Sequence, residues 1–391
     1  MSGFKSDILC ISTQDFDDLW TRKQRFMKRF AESGCRVLYV ETQVHWVTYL
    51  REFKNRYKRL FRFLSGPRQI ENNLWVITPP PLPPFFQMSD AVCRISAFIM
   101  AVFIKRAMRK LAMTNPVVYN YAPFSGYMVQ KLGLSRRLYE CVDEFCIDKG
   151  LVRKEVVRRL ERDTIESSDA VIVTAPFLFD RKSRQGKKTF LIPNAVDVNH
   201  YREVNHGEVK PADEIDMLPK PVVAFLGALE YWIDLDLIEY LARNLPDFSF
   251  AFIGPISVNV SRLIKHRNIH FLGRRPYSDL PALMAGVDVC INPYILDDIA
   301  AGCSPLKLYE YIAAGKPIVS VRMPEAEKFS DLVEIADSYE EFAEKVAVLA
   351  AKDKNWRCNF AERAWREAQK HTWDSRFEET NKILSECFAC E

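Results

Sequence analysis

The segment Gly302-Cys-Ser-Pro-Leu-Lys-Leu-Tyr-Glu-Tyr-Ile-Ala-Ala-Gly-Lys-Pro317 combines helix punctuation with a charge placed against the usual rules. Ser304 is a good N-cap, Pro305 suits the first helical position, Gly315 suits a left-handed C-terminal cap, and Pro317 stops the chain from continuing. A helix is therefore predicted from about Pro305 to Ala314. Its first turn carries Lys307, a cation where the helix dipole favours an anion, at a cost of a few tenths of a kcal/mol. A phosphate at the helix start would reverse that cost, because free backbone N–H groups and the Lys307 ammonium would converge on it. Glu310, three residues on and on the same face, could then accept hydrogen bonds from ribose hydroxyls. The competing reading is a surface Lys–Glu pair on an ordinary helix.

Two further places have suitable chemistry. Gly227-Ala-Leu-Glu230-Tyr-Trp232-Ile-Asp234 follows an apolar run and reads as a strand-to-helix turn whose glycine lets backbone approach a ligand closely. Asp143-Glu144 closes another apolar run, where a carboxylate could serve as general base or acid, or could simply cap a helix.

Short branched-apolar runs alternate with longer amphipathic stretches, the pattern of strand-helix-strand crossovers and a parallel sheet. Strands are predicted at Ile8–Ser12, Val37–Val40, Leu74–Ile77, Pro116–Tyr119, Leu138–Val142, Ala170–Thr174 and Thr189–Ile192, with the clearest helices at Lys23–Ser33 and Val152–Ser167. The pattern restarts with Val222–Leu226, Phe248–Ile253, Ile269–Leu272, Val287–Asn292 and Pro317–Val321, each followed by a helical stretch. Asn205–Pro221, polar and without a sustained period, is taken as the linker. Tandem doubly wound domains bind ligands at the carboxyl ends of their strands, so the expected site is the cleft between them.

The composition agrees with one or two globular domains: 391 residues, 48% hydrophobic and 27% charged. The net charge of +4 hides an asymmetry. Residues 1–200 hold 33 basic and 20 acidic side chains, net +13, and residues 201–391 hold 22 and 31, net −9. The N-terminal half is thus expected to meet something anionic: nucleic acid, membrane phospholipid or a phosphorylated substrate. Ten scattered cysteines, mostly in apolar runs, read as reduced core residues of a cytosolic protein, and Cys387-x-x-Cys390 reads as part of a frayed tail. No signal-peptide pattern opens the chain, and the longest apolar run, Ile95–Ile104, is too short to span a bilayer.

These residues resemble the GT-B glycosyltransferases of the family 4 type, in the branch of teichuronic-acid and exopolysaccharide transferases. Ser304–Val319 is similar to that family's nucleotide-sugar motif. Phe271–Pro281, Asp288–Pro293, Ile192–Asp197, Leu19–Arg22, Tyr139–Glu144 and the closing His371-Thr-Trp-Asp374 match in order and spacing. The resemblance covers nearly the whole chain. It implies an α/β fold of two Rossmann-like doubly wound domains: an acceptor-binding domain over 1–204, a nucleotide-sugar-binding domain over 205–365, and a helix over 366–391 returning to the first. It also implies donor contacts from Gly227, Glu230, Trp232, Ser304, Pro305, Leu306, Lys307 and Glu310, with Asp143 and Lys307 catalytic. Two departures stand out. The first Glu of the family's paired motif is Gly302 here, which puts the donor sugar and retention of configuration in doubt, and Glu230-Tyr-Trp232-Ile-Asp234 replaces a common Arg–Lys pair. A UDP- or GDP-sugar is the implied substrate, with no cofactor and no metal, because such sites neutralise the departing diphosphate with side chains and helix N-termini.

The stretch Arg51–Leu64 mixes six basic residues with aromatic and aliphatic ones, the composition of a helix on a membrane surface. Arg56, Lys58, Arg59 and Arg62 are its expected contacts with anionic lipid, and Arg22 is assigned to the same acceptor side. The run Ile95–Ile104 leading into Lys105-Arg106 and Arg109-Lys110 is read by preference as a core helix with a solvated basic edge. No nucleic-acid-binding module accompanies the charge. The combined expectation is a cytoplasmic enzyme, peripheral on the inner face of the membrane, that moves a sugar from a nucleoside diphosphate to a lipid-linked or oligosaccharide acceptor. A nucleotide-sugar epimerase on the same fold and a catalytically silent glycan-binding subunit are the rivals.

Overall fold

The computed structural model describes residues 4–47, 59, 61–83, 89–145 and 154–388. The chain divides into two compact units, Met1–Pro193 with Phe377–Glu391 and Asn194–Arg376.

Unit 1 is built on β1 Ile8–Ile11, β2 Val37–Val40, β3 Arg68–Glu71, β4 Leu74–Ile77, β5 Val117–Asn120, β6 Arg137–Cys141, β7 Ala170–Val173 and β8 Lys188–Leu191. These form one sheet in the order β3-β4-β2-β1-β5-β6-β7-β8, parallel throughout except for β3, which runs antiparallel to β4. Among its described helices are α1 Arg22–Glu32, α2 Asp90–Lys110, α3 Gly126–Leu132, α4 Lys154–Glu166 and α5 Pro176–Ser183. β1, β2, β5 and β7 are buried on both faces, which is why they read as continuous apolar runs. β3 was invisible to that criterion: its Arg-Gln-Ile-Glu sequence lies mostly in solvent at the sheet edge.

Unit 2 carries β9 Val222–Leu226, β10 Ser249–Ile253, β11 Ile269–Gly273, β12 Val289–Asn292, β13 Ile318–Val321 and β14 Val333–Ala336 in one parallel sheet, ordered β11-β10-β9-β12-β13-β14. Its helices are α6 Val198–Asn205, α7 Asp213–Asp216, α8 Leu235–Asn244, α9 Leu280–Ala285, α10 Asp298–Gly302, α11 Leu306–Ala313, α12 Pro324–Glu327, α13 Tyr339–Ala350 and α14 Lys354–Ala368. A last helix, α15 Trp373–Phe388, begins in unit 2 and enters unit 1 at Phe377. β14, missed in the sequence, is a short edge strand with exposed Glu334 inside it.

Several expectations change. α6, assigned from sequence to the first domain, belongs to unit 2, where Tyr201 and Val204 join the core and Asn205 Nδ2 donates to the carbonyls of Ala313 and Ala361, 3.2 and 3.1 Å away. The division therefore falls at Pro193/Asn194 rather than at 204/205. The supposed linker contains α7, whose Ile215 is fully buried. Cys387 lies on α15 rather than in a frayed tail, and Cys390 lies outside the described residues. Five of the free cysteines, Cys10, Cys35, Cys93, Cys141 and Cys290, are buried core residues as expected. Among the described residues no helix is long and apolar enough to cross a membrane. α2 is only half of what its sequence suggested. Its inner face, including Met100, Ala101 and Ile104, is core, but its outer face exposes Ile95, Phe98 and Val102.

Candidate active-site regions in the two units

In an open parallel sheet the ligand crevice lies at the carboxyl ends of the strands where the chain order reverses. In unit 2 that point falls between β9 and β12, which are neighbours in the sheet while β10 and β11 lie on the far side of β9. β9 ends at Leu226 and gives Gly227; β12 ends at Asn292 and gives Pro293-Tyr294. Lys307, in the first turn of α11, is placed here. Its Nζ is 4.0 Å from the Phe225 ring centroid and 5.1 Å from that of Tyr294. A Cβ built on Gly227 would stand 2.8 Å from the same nitrogen, so only glycine leaves this space to the ammonium. Gly227 also adopts φ +140°, a conformation that side chains disfavour.

The charge that looked misplaced on the helix is thus held by two aromatic faces. Burial holds the Lys307 ammonium down to about 8, against the opposing influence of Cys303 and Glu310. An anion delivered to this place would find a desolvated cation whose protonation it stabilises.

Gly254, after β10, completes the turn. A Cβ there would lie 2.1 Å from the Gly227 carbonyl oxygen, so the two strand-end loops touch through glycine backbone. Tyr311 fixes α11 to the same point: its hydroxyl accepts the Leu226 N–H at 2.8 Å. Glu230 and Trp232 are half-buried. The Trp232 carbonyl accepts the Ile295 N–H at 2.8 Å, tying the loop after β9 to the loop after β12. Asp234 is the N-cap of α8, accepting from Asp236 and Leu237 N–H at 3.0 and 2.9 Å.

The N-cap assignment needs correction. α11 starts at Leu306 with Pro305 as N-cap, and the Ser304 hydroxyl does not cap it. That hydroxyl instead donates to Glu325 Oε1 at 3.1 Å and accepts the Asn194 N–H at 3.2 Å, while Asn194 Nδ2 donates to the Ser304 carbonyl at 2.6 Å. The Tyr309 hydroxyl also donates to Glu325. Val196 N–H reaches the His371 carbonyl at 2.9 Å, so the Ile192–Asp197 and His371–Asp374 segments meet beside α11. Ser304 thereby fixes where α11 starts and has its hydrogen bonds taken by protein. Gly302, where the resemblance expected a Glu, is buried at the end of α10.

In unit 1 the chain order reverses between β1 and β5. Tyr121 follows β5, and the Lys23 Nζ is 5.7 Å from its ring centroid. Asp143 follows β6 and is open to solvent. The protein packed around it nevertheless pushes its carboxyl up to about 6, with Lys23 opposing. Burial lowers the Lys23 ammonium, and Asp143, Glu140 and Cys10 act the other way. Glu144, the other carboxylate of the sequence pair, is consumed: Arg181 Nη1 donates to it at 3.1 Å, and the Lys182 Nζ lies 3.9 Å away. Only Asp143 of the two is accessible for chemistry.

Arg22, expected as an acceptor or membrane contact, is a core residue, 2% exposed. Its Nε donates to the fully buried Glu140, which also receives the Tyr119 hydroxyl, and its Nη1 donates to the Pro193 carbonyl at 2.7 Å. Arg59 is likewise buried, bonded to Asp15 and to the Thr42 carbonyl, and burial lowers its guanidinium to about 10, with Arg62 acting in the same direction. Arg62 donates to Asp17 at 2.9 Å on the surface. Arg59 is therefore folded inward and unavailable to a bilayer, Arg62 stays exposed beside Asp17, and Arg56 and Lys58 lie outside the described residues. Among the described residues no group of three or more His, Cys, Asp and Glu side chains is placed to hold a metal ion.

Residues 235–382 match the family model described as "Glycosyl transferase-like". Over 185 residues the chain is 26% identical to TuaH of Bacillus subtilis (strain 168), provisionally described as a teichuronic acid biosynthesis glycosyltransferase. The alignment takes in 45% of this chain and 46% of that protein, so it spans about half the length of the curated relative. The fold is similar to that of sucrose-phosphate synthase from Thermosynechococcus elongatus, with a TM-score of 0.76 at 13% identity over 99% of this chain and 100% of the other. It is also similar to Anabaena Alr3699/HepE in complex with UDP and glucose, with a TM-score of 0.66 at 15% identity over 97% and 99% of the two chains. The protein therefore has the two-sheet fold of the GT-B class. Most of its second unit lies within the stretch that is similar to the glycosyl transferase-like family.

Proposed function

We propose that the protein is a glycosyltransferase whose unit 2 holds a nucleoside diphosphate sugar and whose unit 1 presents the acceptor. The observation that carries this reading is the Lys307 ammonium, held between Phe225 and Tyr294 above Gly227 where β9 and β12 part. A desolvated cation at the start of a helix favours a diphosphate in both ground and transition states. An acceptor hydroxyl oxygen attacks the anomeric carbon, its proton passes to Asp143, and the bond from that carbon to the diphosphate breaks. Lys307 and the N–H groups of α11 neutralise the charge left on the nucleoside diphosphate. Glu310 is the proposed ribose contact, and no metal takes part.

The UDP and glucose named for HepE make UDP-glucose the first donor to test. The likeness to TuaH supports a surface polysaccharide as product and a lipid-linked or oligosaccharide acceptor. On this reading the enzyme works in the cytoplasm at the inner face of the membrane. The test is thermal unfolding with UDP, GDP, CDP and ADP. A ligand at 100 times its dissociation constant adds about 2.7 kcal/mol, or roughly 5–10 °C for a domain of this size. A shift with one diphosphate, abolished in Lys307→Ala and unchanged by EDTA, is the expected result. No shift with any of the four overturns the donor site.

A further inference from the structure

The outer face of α2 changes character along its length in a way that core packing does not require. Ile95, Phe98 and Val102 lie at i, i+3 and i+7 and are 54%, 59% and 50% exposed. One turn on, the same face becomes Lys105, Arg106 and Arg109, with Lys110 beside them, all exposed. Lys105, Arg106 and Lys110 have no carboxylate partner among the described residues. Lys105, Arg106 and Lys110 are thus unneutralised by any carboxylate of the described residues, whereas Arg59 and Arg62 each have one.

Beside its basic end lies a cavity of about 260 Å³, whose lining includes Phe63, Leu64, Phe103 and Ala107 together with Arg106 and Lys110. Leu64 is 70% exposed at its mouth. The Lys110 Nζ hangs 3.1 Å from where a Cβ on Gly66 would be, so the ammonium lies along the wall of this mixed polar and apolar cavity. Apolar surface that stays in water costs about 25 cal/mol per Å², and it gains nothing here from the remainder of unit 1.

We propose that this face of α2, with Leu64 and the adjoining cavity, docks the protein on an anionic phospholipid bilayer. The apolar turns enter the headgroup–acyl boundary while Lys105, Arg106, Arg109 and Lys110 meet lipid phosphates. The charge pattern selects this occupant. A partner protein groove would leave four like charges to be matched one by one, whereas an anionic leaflet supplies negative charge along the whole helix. Docking gives the glycosyltransferase reading a route to a lipid-linked acceptor, and it rests on that reading only for its purpose.

The test is flotation of the purified full chain with vesicles of phosphatidylcholine alone and of phosphatidylcholine with one-third phosphatidylglycerol, at low and high salt. Binding to the anionic vesicles only is expected. Phe98→Ser, on an exposed side chain, should lower the partition about tenfold with unfolding temperature unchanged. Arg106→Ser with Lys110→Ser should lower it roughly fivefold for each charge removed. Unchanged binding in Phe98→Ser overturns the proposal, as does loss of binding on neutralising Arg56 and Lys58 alone. Conversion of a dimer to monomer by Phe98→Ser, with vesicle binding intact, reassigns the face to a second copy of the chain. The UDP-dependent thermal shift of Phe98→Ser keeps the two readings apart, because it reports the donor site whatever the vesicles do.

Discussion

A Cβ on Gly227 would stand 2.8 Å from the Lys307 ammonium nitrogen, and no normal van der Waals contact is that short. The two residues are 80 positions apart and occupy one space, which the glycine leaves and the lysine takes. Gly227→Ala must displace the lysine from its aromatic faces and also strain a backbone held at φ +140°. The expected outcome is a loss of diphosphate affinity of tenfold or more, about 1.4 kcal/mol, with the β9 core intact. Isothermal titration with the diphosphate found in the thermal screen measures it.

The same lysine predicts a pH signature. Its ammonium loses its proton near pH 8 in the free protein because burial disfavours the charge, and a bound diphosphate favours it. Binding above pH 8 is therefore expected to take up a proton, and affinity to fall as pH rises through 8 to 10. Titration at pH 8.5 in two buffers of different ionisation enthalpy reads the uptake directly. Lys307→Ala should show none, and should cut sugar transfer at least tenfold, roughly 1.4 kcal/mol of transition-state stabilisation.

Much of this arrangement was legible in the sequence. Eleven of the twelve predicted strands overlap their observed counterparts closely, most of them because buried parallel strands are apolar on both faces, although β8 and β11 are only partly buried; the twelfth, Val287–Asn292, ran two residues long at its start. Lys307, Gly227 and Asp143 were visible because helix punctuation and strand ends are local features. Phe225, Tyr294, Gly254 and Lys23 were not, since their meaning depends on strand order: β9 beside β12, and β1 beside β5. Ser304 misled for the opposite reason. As a residue type it fits an N-cap, and only the distant Asn194 and Glu325 show that its hydroxyl is already committed. Arg22 and Arg59 show the limit of charge counting, because a basic residue in a basic stretch can still be folded inward onto Glu140 or Asp15.

Asp143 supplies a third prediction. Its carboxyl is pushed up to about 6 by the protein packed around it, which disfavours the anion although the side chain reaches solvent, while Lys23 favours the anion. If Asp143 takes the acceptor proton, transfer rises with pH through about 6 as the carboxylate forms. Lys23→Met removes the opposing charge, so the acid limb of kcat/KM must move to higher pH, with little change on the alkaline side. A pH–rate profile of the variant with UDP-sugar saturating decides it; an unmoved acid limb would separate Asp143 from the proton transfer. Asp143→Asn should remove the limb and most of the rate.

The buried pair Arg22–Glu140 yields a stability prediction. Glu140 is fully buried and Arg22 nearly so; Arg22 Nε and the Tyr119 hydroxyl donate to Glu140 and Arg22 Nη1 donates to the Pro193 carbonyl, while Arg22 Nη2 is buried without a partner among the described residues. Removing one partner leaves a charge in the core. Arg22→Met is expected to destabilise unit 1 by about 3–5 kcal/mol, because the Glu140 carboxylate must then be protonated or solvated. The double variant Arg22→Met/Glu140→Leu removes both charges and should recover a large part of that loss, since two ions no longer need to be desolvated. Urea unfolding of the two single variants and the double variant closes the cycle. If Arg22 were instead a surface contact for acceptor or lipid, each single change would cost under about 1 kcal/mol and the double would add nothing. A strong coupling between the two positions, together with unchanged vesicle binding, places Arg22 in the scaffold that holds β6 and thereby Asp143 at its end.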